Sequence, residues 1–314
     1  MAEIAYLQLT RLCNQACRFC SNPENGKLIP LRRGKEWIDK FSRRGYAGLI
    51  LTGGEPTLHP DLPKLIRHAC LRRIPPRIIT NGQKTSEPGF LETLAEAGLD
   101  HMHVSVYSCR PEVQAYLTTK KDSLECIERT LDEAGRLGIR VDINTVINKY
   151  NADHLSDLVR WLIGRWSFIR HFVWNNLDPM MNRATQNPDT VPRLKDFEVE
   201  LYRALREVDV SGRTFRVERV PLCYMADYAH CSTETRKIVK SEGRAIYFLD
   251  EKGIRVQNTR AFFSYGKAGR CRDCPLDPIC AGLYEMDKYY KSDELCPVFV
   301  SREVVVRRIL ADER

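Results

Sequence analysis

In the first 180 residues six short, β-rich apolar runs alternate with five helical patterns, and this alternation limits the possible folds most. The strand runs are 5–10, 48–52, 77–82, 101–107, 139–147 and 169–174. The helical stretches are 32–44, with Trp37, Ile38 and Phe41 on one side, then 62–73, 89–97, 123–137 (stopped by Gly138) and 154–166. Neighbouring parallel strands need long crossover connections, and helices supply them. The pattern therefore predicts a curved parallel sheet with helices outside, and places any active site at the carboxyl ends of the strands.

The loop after the first strand carries Cys13, Cys17 and Cys20 in a C-x3-C-x2-C spacing. Closed structural metal sites use four ligands, and iron–sulfur clusters are normally held by four cysteines. Three thiolates predict a cluster with one iron open to a ligand that is not protein. The second strand ends in Gly53-Gly54-Glu55-Pro56. Two glycines let backbone approach a ligand closely, and the glutamate places a carboxylate beside the free amides. Alone, the same string reads as an ordinary strand-to-helix turn.

Together, the three-cysteine loop with Phe19 before its last cysteine and the Gly-Gly-Glu-Pro turn resemble the radical S-adenosylmethionine (radical SAM) superfamily, over roughly the first 180 residues. The resemblance implies an α/β fold with a partial (βα)6 TIM-type barrel. It implies Cys13, Cys17 and Cys20 as ligands of a [4Fe-4S] cluster whose open iron chelates S-adenosylmethionine. It further implies Gly53, Gly54 and Glu55 at the methionine amino group, Phe19 near the adenine, and Ser105 and Asn144 at the ribose and carboxylate. The last two read equally as polar side chains that satisfy backbone groups at the barrel mouth. His101 and His103 alternate with apolar residues and read as strand-face or rim residues rather than metal ligands.

A second group, Cys271-x2-Cys274-x5-Cys280-x15-Cys296, is a full set of four thiolates. It follows a run, 244–257, that reads as a β-hairpin with a tight turn at Glu251-Lys252-Gly253. This resembles the SPASM and twitch extensions of radical SAM enzymes. The full pattern has a further cysteine where this chain has Tyr284, and its glycine-x4-cysteine pair is missing because Asn258 follows Gly253 at that spacing. The resemblance thus implies one auxiliary [4Fe-4S] cluster on Cys271, Cys274, Cys280 and Cys296; structural zinc is the alternative occupant. Cys223 and Cys231 are left as small buried residues, hydrogen-atom donors to a substrate radical, or a replacement for Cys296. Cys70, Cys109 and Cys126 read as core.

The expected organisation is a barrel over 1–190 and a small α+β auxiliary-cluster domain over 191–314, with the Asn- and Pro-rich stretch 178–192 as the seam. Arg183 in that stretch is a candidate to reach the cofactor or an anionic substrate. No secretory segment or long apolar span is present, which predicts a cytoplasmic protein. Lys and Arg (49) outnumber Asp and Glu (41), giving +8; this suits an acidic peptide, a nucleotide or a phosphorylated metabolite as partner. No RNA-recognition motif or long basic tract argues for nucleic acid. The leading expectation is radical chemistry on a ribosomally made peptide (crosslinking, epimerisation or oxidation). An electron donor such as flavodoxin or ferredoxin would serve it, with a separate leader-peptide-binding protein because the chain starts at the first strand. The alternatives are the same chemistry on a small metabolite and a non-catalytic iron–sulfur or zinc protein.

Overall fold

The computed structural model describes residues 4–22, 24–180, 182–241, 245–250, 253–258 and 264–312. Seven parallel strands lie side by side in chain order: β1 (Ile4–Thr10), β2 (Gly48–Gly53), β3 (Pro76–Thr80), β4 (His101–Ser105), β5 (Arg140–Ile147), β6 (His171–Asn176) and β7 (Thr214–Glu218). The connecting helices are α1 (Leu31–Arg43), α2 (Leu62–Leu71), α3 (Phe90–Glu96), α4 (Pro111–Thr118), α5 (Ser123–Leu137), α6 (Leu155–Arg165), α7 (Asn182–Gln186) and α8 (Leu194–Val210).

Strand alternation gives the sheet two different faces. Ile78, Met102, Val104, Val141, Ile143, Phe172 and Trp174 are fully or almost fully buried, in one cluster with helix residues such as Leu65, Leu94, Leu131 and Leu162. The alternate positions carry Arg77, His101, His103, Ser105, Asp142, Asn144, His171 and Asn175. With Ile50, Ile79 and Val173 also at alternate positions, the inner face is mixed and rich in polar side chains from β4 to β6, as suits a barrel that admits a ligand.

The expected (βα) alternation is present, and the sheet is longer than expected. β7 is a seventh parallel strand, five residues long, paired with β6 from His171↔Thr214 to Asn175↔Glu218. The hairpin β8 (Ala245–Asp250) and β9 (Gly253–Asn258) joins the other end of the same sheet, β8 running parallel to β1 through Tyr6↔Ile246 and Leu7↔Tyr247. Without it β1 would be an edge with unpaired backbone groups. Tyr247 is buried and seals the junction against Trp37 (5.0 Å) and Phe41 (4.7 Å). The expected turn at Glu251-Lys252 lies outside the described residues. α4 also escaped the sequence pattern: its buried residues are Gln114, Leu117 and Thr118, so it shows no apolar stripe.

The remaining elements are α9 (Thr233–Lys240), the short pair β10 (Tyr265–Gly266) and β11 (Leu283–Tyr284), and α10 (Arg302–Ala311). The expected seam at residue 190 falls between α7 and α8, with β7 and β8 of the main sheet beyond it. Among the described residues no helix is long and apolar enough to cross a membrane.

Candidate active site

The cysteine loop leaves the carboxyl end of β1 and returns to it: the Arg11 amide donates to Lys27 O (2.8 Å) and the Ile29 amide to Leu9 O (2.8 Å). Three neighbours fix its shape. From α4, Leu117 O and Thr118 O accept the amides of Arg18 (2.9 Å) and Ala16 (3.3 Å). From the turn after β2, the Gly54 and Glu55 amides donate to Thr10 O (2.7 Å) and Leu12 O (2.8 Å), and Asn22 Nδ2 donates to Gly53 O (2.6 Å). From α7, Asn182 Nδ2 donates to Asn22 O (2.7 Å), Arg183 Nε to Cys17 O (3.1 Å) and the Ala184 amide to Cys20 O (3.2 Å).

The two glycines thus have a concrete reason. A Cβ on Gly53 would lie 2.1 Å from Thr10 O, and one on Gly54 would lie 2.2 Å from Leu12 O. The close approach they permit is that of the cysteine loop's own backbone. Glu55 is buried, and its Oε1 accepts from the Thr57 amide (3.2 Å), Thr57 Oγ1 (2.7 Å) and Thr80 Oγ1 (2.9 Å). Its Oε2 accepts from the Asn81 amide (2.8 Å). Glu55 therefore ties the ends of β2 and β3 together. Burial raises its carboxyl above the ordinary range, against those four hydrogen bonds.

Cys13, Cys17 and Cys20 share one electrostatic environment. Burial pushes Cys13 up to about 11, with Glu55 and Cys20 adding to the shift. Burial also raises Cys17, beside Cys20 and Cys13, and it raises Cys20; Arg183 opposes both shifts. Arg183 is itself held by Glu24 (2.8 Å). Iron binding replaces the protons that burial retains on these thiols. Three converging thiols beside one guanidinium suit an anionic cluster with an open iron.

Of the other expected residues, Phe19 is buried, its ring meeting Tyr107 edge-on at 4.7 Å. Ser105 ends β4 against the Tyr107 hydroxyl and pairs in register with Asn144, whose Oδ1 accepts from Asn175 Nδ2 (2.8 Å). The sequence reading missed Asn81, at the end of β3, whose Nδ2 donates to Asn14 Oδ1 (2.8 Å) and points at Cys13 Sγ (3.8 Å). Its signal was a polar residue at a strand's carboxyl end, the rule that selected Ser105.

The late cysteines also come together. Cys271, Cys274, Cys280 and Cys296 line one small cavity, and Cys223 is a fifth thiol in its wall. Burial pushes Cys223 up to about 12, with Cys296 and Cys280 adding to the shift. Cys231 is not in that wall; it is buried in the core beside Arg216 and Arg236. Cys126 is buried and Cys109 half-buried, but Cys70 is exposed at the end of α2. Tyr284 donates to Asp178 Oδ1 (3.1 Å) in the loop after β6, so the position where the full pattern has cysteine here braces the barrel mouth.

An open parallel barrel with three thiols and a glycine turn at its carboxyl mouth defines an α/β barrel built around an iron–sulfur loop. The Radical SAM superfamily pattern matches residues 7–162. The chain belongs to the radical SAM superfamily of enzymes, and membership implies a [4Fe-4S] cluster and S-adenosylmethionine. It is similar to GTP 3',8-cyclase of Aquifex aeolicus, 32% identical over 51% of this chain and 52% of that one. It is also similar to PqqA peptide cyclase of Xanthomonas campestris, 30% identical over 49% of this chain and 42% of that one. The chain thus spans about half the length of these curated relatives. The fold matches Streptococcus suis SuiB bound to S-adenosylmethionine with a TM-score of 0.65 at 17% identity, over 90% of this chain and 73% of that one. Membership in an enzyme family sets aside the non-catalytic alternative.

Proposed function

We propose that this protein cleaves S-adenosylmethionine reductively at the Cys13–Cys17–Cys20 loop and uses the radical on a peptide, with an auxiliary cluster in the late-cysteine cavity. The observation that carries the reading is the meeting of that loop with the Gly53-Gly54 turn at the carboxyl mouth of the barrel. A [4Fe-4S] cluster held there would supply the electron for reductive cleavage of a sulfonium C–S bond, the chemistry that lets hydrogen be taken from a substrate. The chain's own residues prepare that step. Cys13, Cys17 and Cys20 would hold three irons, and Asn81 orients Cys13. Arg183 sets positive charge beside Cys17 and Cys20. Glu55 Oε2, with one donor, keeps acceptor capacity for an ammonium group. Phe19 and Tyr107 form an apolar wall against water, and Ser105 and Asn144 offer polar groups to the ribose and carboxylate.

The peptide reading is supported by the late-cysteine cavity, by the +8 charge, and by fold similarity to SuiB, which has also been solved with its precursor peptide SuiA. The second reading, a nucleotide substrate, is favoured by the likeness to GTP 3',8-cyclase. The test is anaerobic reconstitution with S-adenosylmethionine and reductant, reading 5'-deoxyadenosine. Wild type should produce it, and the Cys13→Ala/Cys17→Ala/Cys20→Ala variant should not; cleavage by the triple variant would refute the assignment. Deuterium transfer from labelled peptides, or from labelled nucleotides, into 5'-deoxyadenosine then separates the two substrate readings.

A further inference from the structure

His101 and His103 stand on the inner face of β4, and Asp142 meets them from β5, with His103 directly in register. That neighbour, invisible in the local pattern, changes the reading of the two histidines. Asp142 Oδ2 lies 2.8 Å from His101 Nε2 and 3.5 Å from His103 Nδ1. The rings are stacked at 5.3 Å, and one ligand atom from each residue falls within 4.8 Å of the other two. The side chains are 9%, 12% and 12% exposed. Hydrogen bonding accounts for only part of the group: His101 Nε2 and Asp142 Oδ2 form a hydrogen bond, whereas His103 Nδ1 stands off at 3.5 Å. Both rings aim at the same carboxylate oxygen, and the second nitrogen of each, His101 Nδ1 and His103 Nε2, is buried with no hydrogen-bond partner among the described residues.

We propose that His101, His103 and Asp142 form a divalent transition-metal site, separate from the cysteine sites. Ligands about 2.0–2.1 Å from zinc at tetrahedral angles stand roughly 3.3 Å apart, and the two distances to Asp142 bracket that value. Two imidazoles and one carboxylate suit zinc or ferrous iron rather than magnesium or calcium. Three protein ligands leave a coordination position open, as in catalytic rather than structural zinc sites. Ser105 and Asn144 lie two residues further along the same strands, so the ion sits about 7 Å deeper in the barrel than the cofactor mouth. Arg77 and His171 approach the same group, which makes all three donors necessary to hold a cation there. His171 Nδ1 is engaged with Thr214 Oγ1 (2.7 Å) and is not counted among the ligands.

The experiment uses full-length protein whose cysteine sites have been loaded with iron anaerobically, titrated with Zn²⁺ alone. Bound zinc is counted and its neighbours are read by X-ray absorption at the zinc edge. One zinc per chain is expected, with nitrogen and oxygen neighbours at about 2.0–2.1 Å. Asp142→Asn and His103→Gln should each weaken zinc retention at least tenfold while iron content stays at the wild-type value. If Asp142→Asn fails to fold, His103→Gln decides alone. Zinc that does not bind, or zinc with sulfur neighbours near about 2.3 Å that survives both substitutions, overturns the proposal.

Discussion

Gly54→Ala tests the logic of the site most directly. A Cβ there would lie 2.2 Å from Leu12 O and 2.7 Å from Leu12 C, whereas real Cβ contacts hardly ever fall below 3.0 Å. The neighbour is backbone and cannot rotate away, so the loop must retreat by roughly 0.8 Å. Overpacking of this kind costs about 1–3 kcal/mol. The retreat also strains the hydrogen bonds from the Gly54 and Glu55 amides to the loop, each contributing about 1 kcal/mol. The expected loss is about 2–5 kcal/mol. Leu12 immediately precedes Cys13, and metal sites tolerate about 0.2 Å of ligand displacement. Gly54→Ala should therefore lose the iron of the N-terminal site and 5'-deoxyadenosine formation, while the late-cysteine cavity still loads iron. Urea unfolding and iron content per chain read the two effects. Gly164→Ala is the control: it lies in α6 with nothing within 4 Å of its Cβ position, and should be neutral or slightly stabilising. A Gly54→Ala protein with wild-type stability and iron would refute the reasoning.

Asn81→Ala removes the amide that orients Cys13 and Asn14, and should lower retention of the N-terminal cluster about tenfold, measured by iron loss to a chelator. Cys280→Ala should reduce iron from about eight to about four per chain and leave the cluster signal of the first site intact; Cys231→Ala, outside the cavity, should leave iron unchanged. Burial lowers His171 from 6.5 to about 4, so the folded state keeps it neutral while the unfolded chain binds its proton. Its contribution to stability is fully present above pH 6.5 and is lost as pH falls toward about 4, with a slope of up to about 1.4 kcal/mol per pH unit. His171→Gln should remove one proton's worth of that slope in denaturation curves across this window.

Five helices (α1, α2, α3, α5 and α6) and six of the strands were legible because each bears its own period: apolar alternation in Ile139–Ile147, or the Trp37, Ile38, Phe41 stripe. β7 was not, because five residues after a long helix carry too little pattern, and α4 was not, because it buries Gln114 and Thr118 instead of an apolar stripe. The cysteine ligand sets were legible as spacing. Asn81 and Asp142 were not, since each meets its partners across strands or loops far away in the chain, and spacing could not choose between Cys223 and Cys231 as the further thiol of the late-cysteine cavity.

The local order of the chain decided which segments become strands and helices, where three thiols lie on one loop, and that two glycines follow β2. Those properties depend on residues a few positions apart. Tertiary structure decided the rest. It made Gly53 and Gly54 a seat for the Thr10–Leu12 backbone, and turned Glu55 inward to bind β3. It also covered the free edge of β1 with a hairpin some 240 residues away, and set His101 and His103 against Asp142. Each depends on which strand lies beside which, and only the order of strands in the sheet, driven by burial of its apolar face, determines that.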